Sequence, residues 1–412
     1  MPPTTSPGTD LYQATPFGFN ESNPWYIGAA QGLTYDTNAT RTPSPRSDTY
    51  SSTSLLGGFN QSFGRQQVFG SGHVTYNKYF DFSNLDYTQY NVAGGLNWET
   101  LYNLSGTVRV AFGQNRTTTI GPAGFTINNT ANTRDIRGTA AWGGTSSLSV
   151  EGLLGYSDTN YSNPGSTALD TSQGTASLAL HYHGHGLWGT GIGLRYTQQR
   201  TPRAGAVNGE FVGNNVDGRN VDFYFNYNPG ATLRLDGRLS YTKTSNSGLA
   251  SADFSGWTGY VNATWVITGK SSVSLYAARD VGYNTNPFSS FTLVFINNVP
   301  VLSPVNGVYE NNQRTSSAGL TYTYLATAKI TANAGLRWSQ AHLLTTTIFG
   351  NGPPNGATLD TDKVAYLGAS WAITRNWTLN ANLSHEKREL TGARDNQYND
   401  NLYGILAQYT WP

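Results

Sequence analysis

The strongest constraint on the fold lies at the end of the chain, in residues 399–411. Apolar and aromatic side chains alternate there with polar or small ones: Tyr403, Ile405, Ala407, Tyr409 and Trp411 share one face, and Gly404, Gln408 and Thr410 share the other. A period of two defines a β-strand. The apolar face runs over about ten residues, against ~5–6 residues for an ordinary soluble strand, and this length suffices to cross a bilayer at a tilt. The pattern therefore predicts a membrane-spanning strand.

The composition leaves strands as the means of crossing a membrane. No run in the 412 residues approaches the ~18 consecutive apolar residues of a transmembrane helix. The chain also lacks a composition break or a linker, which indicates one large repetitive domain rather than several soluble domains.

Composition excludes several classes of function. The absence of cysteine excludes disulfides, thiolate metal sites and cysteine nucleophiles. A formal net charge of +1 gives no electrostatic basis for a nucleic-acid partner. The start at Met1 has neither a basic nor an apolar signal region, so we expect that a secretory signal has been removed. Residues 1–22 are rich in Pro, Thr and Ser and are predicted to form a disordered or periplasmic tail, with the barrel in residues 23–412.

From Trp25 onward, alternating segments are joined in turn by tight turns and longer loops. Eight tight turns are Gly64-Arg65-Gln66, Tyr102-Asn103, Gly143-Gly144-Thr145, Gly184-His185-Gly186, Asn228-Pro229-Gly230, Thr268-Gly269-Lys270, Leu325-Ala326 and Thr374-Arg375-Asn376. Nine longer connections lie near 38–48, 83–86, 117–130, 158–170, 200–216, 246–252, 286–310, 343–360 and 391–398. Together these predict an all-β, antiparallel transmembrane β-barrel of about 18 strands with both termini periplasmic.

Two alternatives bear on this fold. A soluble β-sandwich would have shorter strands and would not place polar residues on a covered face, as Arg234, Asp236 and Arg238 lie here between Leu233, Leu235 and Leu239. The apolar run 291–296 could form an extra hairpin and change the strand count to 16 or 20. We favour a loop for 286–310, because its strand-like halves are short and Asn297-Asn298 is a hairpin turn signal between them. Its apolar residues should not face bulk water, so we expect the loop to fold into the barrel mouth or onto its rim.

Tryptophan supplies an independent indication of a membrane. Clustering of these side chains near the predicted tight turns is typical of an aromatic girdle at one membrane interface. The residues concerned are Trp25, Trp98, Trp142, Trp188, Trp265, Trp371, Trp377 and Trp411.

The same alternation projects a set of charged and aromatic residues toward the barrel interior. The charged candidates are Arg109, Arg137, Arg195, Arg234, Arg238, Arg337, Glu99, Glu151, Asp222 and Asp236, and the aromatic candidates are Tyr224, Tyr260 and Tyr366. A barrel of 18 strands leaves an aqueous channel, so these charges are compatible with simple solvation by lumen water. They are also compatible with a weak preference for anionic or hydroxyl-rich solutes, with tyrosines available for sugar stacking.

No cofactor, metal or catalytic site is predicted. His181 and His183 share the inward face of one strand, but a third metal ligand is not identifiable. No serine has an identifiable His and acid partner, so the chain is not predicted to be an enzyme. Gly189, Gly191 and Gly193 precede no helix and are interpreted as a patch of small residues on the inner wall.

A string of short motifs in the first hundred residues resembles a known family. The motifs are Tyr35-Asp36-Thr37-Asn38, Arg41-Thr42-Pro43, Ser47-Asp48-Thr49, Gly64-Arg65-Gln66, Tyr76-Asn77-Lys78-Tyr79 and Leu85-Asp86-Tyr87-Thr88, followed by Tyr90. They are similar to the EpsL-like outer-membrane β-barrel proteins of exopolysaccharide operons. The aromatic end at Trp411 resembles the insertion signal of outer-membrane barrels, from which Pro412 departs. We interpret Asp36, Asn38 and Arg41 as a hydrogen-bonded corner between the first strand and its loop.

The resemblance implies a pore that exports a secreted exopolysaccharide across the bacterial outer membrane, in contact with outer-membrane lipid and periplasmic polysaccharide-synthesis proteins. A general or nutrient-specific diffusion porin for small hydrophilic solutes is the alternative, because the same polar lumen and long loops suit it equally. The neighbouring genes would separate these two functions.

Overall fold

The computed structural model describes residues 24–120, 126–143, 146–162, 170–184, 187–207, 210–230, 232–247, 253–283, 286–287, 291–296, 299–304, 308–309, 312–343, 359–391 and 397–411. The predicted tail and Pro412 lie outside these ranges. Among the described residues, no helix is long and apolar enough to cross a membrane.

Eighteen of the described strands form one antiparallel sheet. They are β1 (Trp25–Asp36), β2 (Asp48–Phe63), β3 (Gln66–Tyr79), β4 (Tyr87–Glu99), β5 (Leu104–Ile120), β6 (Thr126–Trp142), β7 (Leu148–Tyr161), β8 (Thr171–His183), β9 (Trp188–Val207), β10 (Glu210–Tyr227), β11 (Leu233–Asn246), β12 (Phe254–Thr268), β13 (Ser271–Tyr283), β18 (Asn312–Leu325), β19 (Ile330–Leu343), β20 (Leu359–Ala372), β21 (Trp377–Thr391) and β22 (Tyr398–Trp411). Between β13 and β18 lie β14 (Asn286–Pro287), β15 (Phe291–Ile296), β16 (Val299–Pro304) and β17 (Val308–Tyr309).

The sheet closes on itself because the first and last strands pair. β1 and β22 are antiparallel neighbours from Ile27 opposite Trp411 to Asp36 opposite Leu402. Closure removes the unpaired edges that lipid would not tolerate. The predicted 18-stranded antiparallel barrel is confirmed. The chain enters β1 and leaves β22 at the same end, the one with the tight turns. The periplasmic location of that end stays a prediction.

The alternation sorts side chains into an outer and an inner face. Along β1, the exposed Trp25, Ile27 and Leu33 alternate with the buried Tyr26 and Thr34. The predicted tryptophan girdle is confirmed: each of those tryptophans lies at or near the tight-turn end of its strand. Contacts reinforce it, with ring centroids 5.0 Å apart for Trp377 and Tyr409 and 4.3 Å for Trp188 and Tyr227.

Several predicted loops are in fact paired strand. β9 and β10 remain paired up to Val207 opposite Glu210, through the region predicted as the loop 200–216. β5 and β6 remain paired up to Ile120 opposite Thr126, so the loop predicted at 117–130 is wrong over most of its length. The physical reason is that neighbouring antiparallel strands go on satisfying each other's N–H and C=O groups beyond the apolar belt, whatever the side-chain polarity.

The connection between β13 and β18 leaves the strand count unchanged but has strands of its own. β15 and β16 form a separate hairpin, and β14 pairs with β17. The predicted turn residues Asn297 and Asn298 lie outside the described ranges. The Cα atoms of β14 come within 8 Å of those of β5, and β16 comes equally close to β21. Since β5 lies on the far side of the barrel from β13, this segment crosses the barrel end, in agreement with a loop folded over the mouth.

A charge on the outer face gives a direct test of this orientation. Leu239→Arg should destabilise the barrel by about 2–4 kcal/mol, because the side chain faces the middle of the apolar belt, while Ser245→Arg near the long-loop end of the same strand should cost about 0–1 kcal/mol. Urea unfolding of both variants in lipid vesicles measures the difference. Equal costs would contradict the assigned outer face.

Candidate functional site

The register places every predicted lining residue on the inner face of the barrel. Arg109 lies opposite Arg137, Tyr224 opposite Arg238, and Arg238 opposite Tyr260. Their surroundings differ. The side chains of Glu99 and Arg234 are 56% and 62% exposed, whereas Asp222 is fully buried.

A compact ionic cluster joins β9, β10 and β11. Asp222 accepts two hydrogen bonds from Arg195, at 2.9 Å from Nε and 3.2 Å from Nη2. Arg238 Nε lies 3.9 Å from the same carboxylate, and the Tyr224 hydroxyl donates to it at 3.2 Å. The carboxylate is well compensated, because the fork of Arg195 matches its two oxygens and Arg238 adds a second positive charge nearby.

The remaining predicted charges are paired in different ways. Arg234 lies 3.9 Å from Asp236, and Arg337 donates to Asp362 at 3.2 Å. Glu99 pairs with Arg65 in the adjoining tight turn, at 3.4 Å, rather than with an arginine of the lumen.

Arg109 and Arg137 form the one like-charged cross-strand pair in the predicted set. They face each other directly, and Asp135 shares the inner face two residues from Arg137. Glu151 lies opposite two alanines, Ala141 and Ala179.

The predicted tyrosines lie along the wall rather than standing free in the lumen. The Tyr260 ring lies 5.3 Å below the Arg238 guanidinium and is only 5% exposed, so this conformation does not offer it to a solute. The Tyr366 ring covers Gly335, where any Cβ would collide with it, and its hydroxyl bonds with the Thr321 hydroxyl at 2.8 Å.

The histidine pair and the glycine patch have structural roles. His183 bonds with Ser149 at 2.9 Å, and the His181 ring lies 5.1 Å from that of Tyr224. Gly189, Gly191 and Gly193 face inward as predicted, and a Cβ on Gly191 would come within 2.6 Å of the His181 ring. Within the described ranges, no group of three His, Asp or Glu side chains could hold a metal ion.

Sequence reasoning missed an acidic wall on the opposite side of the barrel. Its members, on β20 to β22 and β1, are Asp360, Asp362, Glu386, Asp400 and Asp36. Arg388 donates to Asp360 at 2.7 and 3.1 Å. The signal was present, because Asp360 and Asp362 keep the inward phase of Tyr366 along β20, and Asp400 keeps that of Gln408 along β22.

The loop between β1 and β2, residues 37–47, folds inward onto this acidic wall; we name it the inward loop. Asn38 makes the central hydrogen bonds of this loop. Its backbone N–H donates to Asp36 at 2.8 Å and to Asp400 at 3.1 Å, and its side-chain amide donates to the Thr42 carbonyl. Asn38 is 1% exposed and Ala39 is completely buried. The predicted hydrogen-bonded corner is therefore confirmed, although its partners extend well beyond the corner.

Arg41 anchors the tip of the inward loop. Its guanidinium lies 2.9 Å from Glu386 and 3.5 Å from Asp400, two carboxylates with side chains 6% and 0% exposed. Burial alone would lower the pKa of Arg41, but Glu386, together with Tyr398, Asp400 and Asp36, raises that pKa well above its usual value. Arg41 therefore stays charged at any pH the membrane experiences.

An aromatic cluster supports the other side of the inward loop. Ala39 packs with Tyr50, Tyr79 and Leu85, and the Tyr50 and Tyr79 rings lie 4.9 Å apart. Arg116, on β5, donates to the Tyr79 hydroxyl at 2.6 Å and to the Ala39 carbonyl at 3.4 Å. Most of the motifs that carry the family resemblance thus meet in one three-dimensional cluster that holds the inward loop, while Gly64-Arg65-Gln66 forms a tight turn at the other end of the barrel.

These features define the class of protein. A closed 18-stranded sheet with an apolar outer face, a tryptophan girdle and a polar interior is a transmembrane β-barrel of the bacterial outer membrane.

Comparison with known proteins adds structures but no sequence relatives. No family model and no curated protein matches the chain. The barrel is similar to the outer membrane protein OpdK of Pseudomonas aeruginosa, at 13% identity and a TM-score of 0.47, over 94% of this chain and 99% of that one. It is also similar to OccK2 (OpdF) of Pseudomonas aeruginosa, solved in complex with glucuronate. The sequence identity is 13% and the TM-score 0.47, and the match covers 96% of this chain and 100% of that one. A third similar structure is the siderophore receptor PirA of Pseudomonas aeruginosa. The sequence identity is 10% and the TM-score 0.40, and the match covers 94% of this chain and 80% of that one.

Proposed function

We propose that this protein is a diffusion porin for small hydrophilic solutes, with a channel narrowed by the inward loop. The observation that carries this proposal is the fixation of that loop on the inner wall by Arg41, Glu386 and Asp400. Barrels of 18 strands are wide enough for an aqueous channel, so a loop held inside sets the size of the solutes that pass.

The distribution of charge supports a weak preference rather than a strong filter. The inner face of β5 to β11 is mixed in sign with a small excess of arginine, and carboxylates dominate the wall of β20 to β1 across the lumen. Most of these charges are paired locally, as Arg195 is with Asp222 and Arg388 with Asp360. Paired charges give a small net field, so we expect the channel to accept neutral and anionic hydroxylated solutes with modest discrimination.

Export of an exopolysaccharide is the second candidate, and the EpsL-like motifs favour it. In that case the pore would act with periplasmic polysaccharide-synthesis proteins. Most of those motifs, however, build the cluster that holds the inward loop, and a growing polymer needs a wide, continuous path. The geometry therefore supports the diffusion porin better.

Permeation as a function of solute size separates the two functions. In a swelling assay, proteoliposomes are exposed to a series of sugars from monosaccharides to long oligosaccharides. The rate of solute entry should fall steeply with sugar size, because the inward loop restricts the lumen. Vesicles containing heat-denatured protein serve as the control. Entry of long oligosaccharides at rates close to those of monosaccharides would support export and refute the diffusion porin.

A further inference from the structure

The outer face of the barrel carries an apolar hollow that the channel function does not use. It extends across β12, β13 and β18 to β21 and has a volume of about 800 Å³. Small side chains form its floor, and larger ones stand at its sides. The floor includes Ala263, Ala277 and Ala318, and the sides include Leu275, Leu336 and Trp338.

The hollow is on the lipid side of the wall. Leu275 and Leu336 are 50% and 61% exposed, as expected of side chains that face acyl chains rather than the barrel interior. The register gives the same result, because Leu336 is a neighbour along β19 of the inward-facing Arg337.

Basic side chains lie at the long-loop end of this hollow. Lys363, Lys387 and His385 belong to its rim. On neighbouring outward positions of β13, β18 and β19 are Arg279, Arg314 and His342, close enough for both arginines to act electrostatically on the histidine. We name these six residues the basic arc.

The basic arc has little compensating charge. Among the outward positions that the structure describes on β13 and β18 to β21, Glu389 is the one carboxylate; it lies 3.0 Å from Lys363 and 2.6 Å from Lys387. Four Lys and Arg side chains thus face one Glu. On the opposite wall the corresponding level is mixed: Arg134 lies opposite Asp158, and the hydroxyl of Tyr196 donates to Asp217.

We infer that this wall binds a phosphorylated, multiply acylated glycolipid of the outer leaflet. Its phosphates would lie on the basic arc, where guanidinium and ammonium groups suit them, and an acyl chain would fill the hollow. An acyl chain that enters the hollow comes from lipid rather than from water, so it gains van der Waals packing but no hydrophobic free energy. Selectivity among lipids therefore comes from the phosphates.

A second copy of the chain fits the surface less well. A two-fold interface brings the same patch of both subunits together, and here it would place one basic arc against another. Like charges brought together in this way oppose association. The charge of the surface therefore favours an anionic lipid.

The test is native mass spectrometry of the refolded barrel in a neutral detergent. Diphosphoryl lipid A, monophosphoryl lipid A and phosphatidylethanolamine are the probes. Diphosphoryl lipid A should bind at least about tenfold more tightly than phosphatidylethanolamine, with monophosphoryl lipid A between them, as expected when phosphate number sets the affinity. Arg314→Ala with Lys387→Ala should remove this preference. Ala318→Phe should weaken binding of all acylated probes by filling the hollow.

The matched control is Lys243→Ala, which removes an outward cation near the long-loop end of β11, away from the hollow. It should leave lipid binding unchanged. Heat-modifiable migration on gels shows that each variant is folded. Equal binding of phosphatidylethanolamine, an equal loss in Lys243→Ala, or a dimer that Ala318→Phe disrupts would each overturn the inference. None of these results depends on whether the barrel conducts solutes.

Discussion

Arg41→Ala is expected to release the inward loop and raise the single-channel conductance. The substitution leaves the carboxylates of Glu386 and Asp400 buried without their cation. Removing one partner of a buried ion pair costs about 3–5 kcal/mol. Asn38 and Ala39 hold the rest of the inward loop, and displacement of its Arg41 end into water would let the two carboxylates meet solvent and relieve this cost. Planar-bilayer recording of wild type and variant measures the change.

Two further variants separate loop release from general damage. Arg46→Ala removes another arginine of the same loop, one whose guanidinium lies 5.2 Å from the Phe82 ring, and it should leave conductance near the wild-type value. Adding Glu386→Gln and Asp400→Asn to Arg41→Ala neutralises the two carboxylates that have lost Arg41, so stability should recover in part while the wider channel persists. An unchanged conductance in Arg41→Ala would show that the loop does not restrict the path.

The sequence was sufficient for features that depend on local periodicity. A period of two gave the inward phase of Arg195, Asp222 and Arg238, because each side chain alternates with an apolar neighbour that faces lipid. The tryptophans marked the tight-turn end of eight strands, because this side chain favours the membrane interface. Glycine and asparagine marked turns correctly where the backbone needs a positive φ, as at Gly64 and Asn103.

The features that failed depend on partners distant in the chain. Arg41 bonds to Glu386, 345 residues away, and no local pattern predicts which inward carboxylate a loop arginine will meet. The partner of Glu99 was missed for a different reason, since Arg65 belongs to a turn and has no strand phase to project. The paired extension of β9 and β10 was not predicted from the sequence. Outside the apolar belt, a loop and a protruding hairpin have similarly polar sequences, so the pattern does not separate them.

Asp222→Asn is expected to shift the channel toward anions. Asparagine keeps the size of the side chain and its hydrogen-bond acceptor, but Arg195 and Arg238 lose the carboxylate that neutralises them. A charge within about 4 Å of a permeating ion is worth ~1 kcal/mol even at the dielectric constant of water, which corresponds to about a fivefold change in ion partition. The reversal potential across a planar bilayer under a salt gradient should move accordingly.

The salt dependence of the shift and the location of the substituted carboxylate distinguish a charge effect from a change in the shape of the channel. The shift should be largest at 0.1 M salt, where screening extends over about 10 Å, and should fall strongly near 1 M, where that length is about 3 Å. Glu99→Gln removes a carboxylate of the inner face that is more than half exposed and pairs with Arg65 at the tight-turn rim, so it should change the reversal potential little. If Asp222→Asn shifts it no more than Glu99→Gln does, permeating ions do not pass near the Arg195 cluster. The inner-face arginines would then serve to brace the wall of β9 to β11, and solute preference would have to come from the inward loop and the acidic wall beside it.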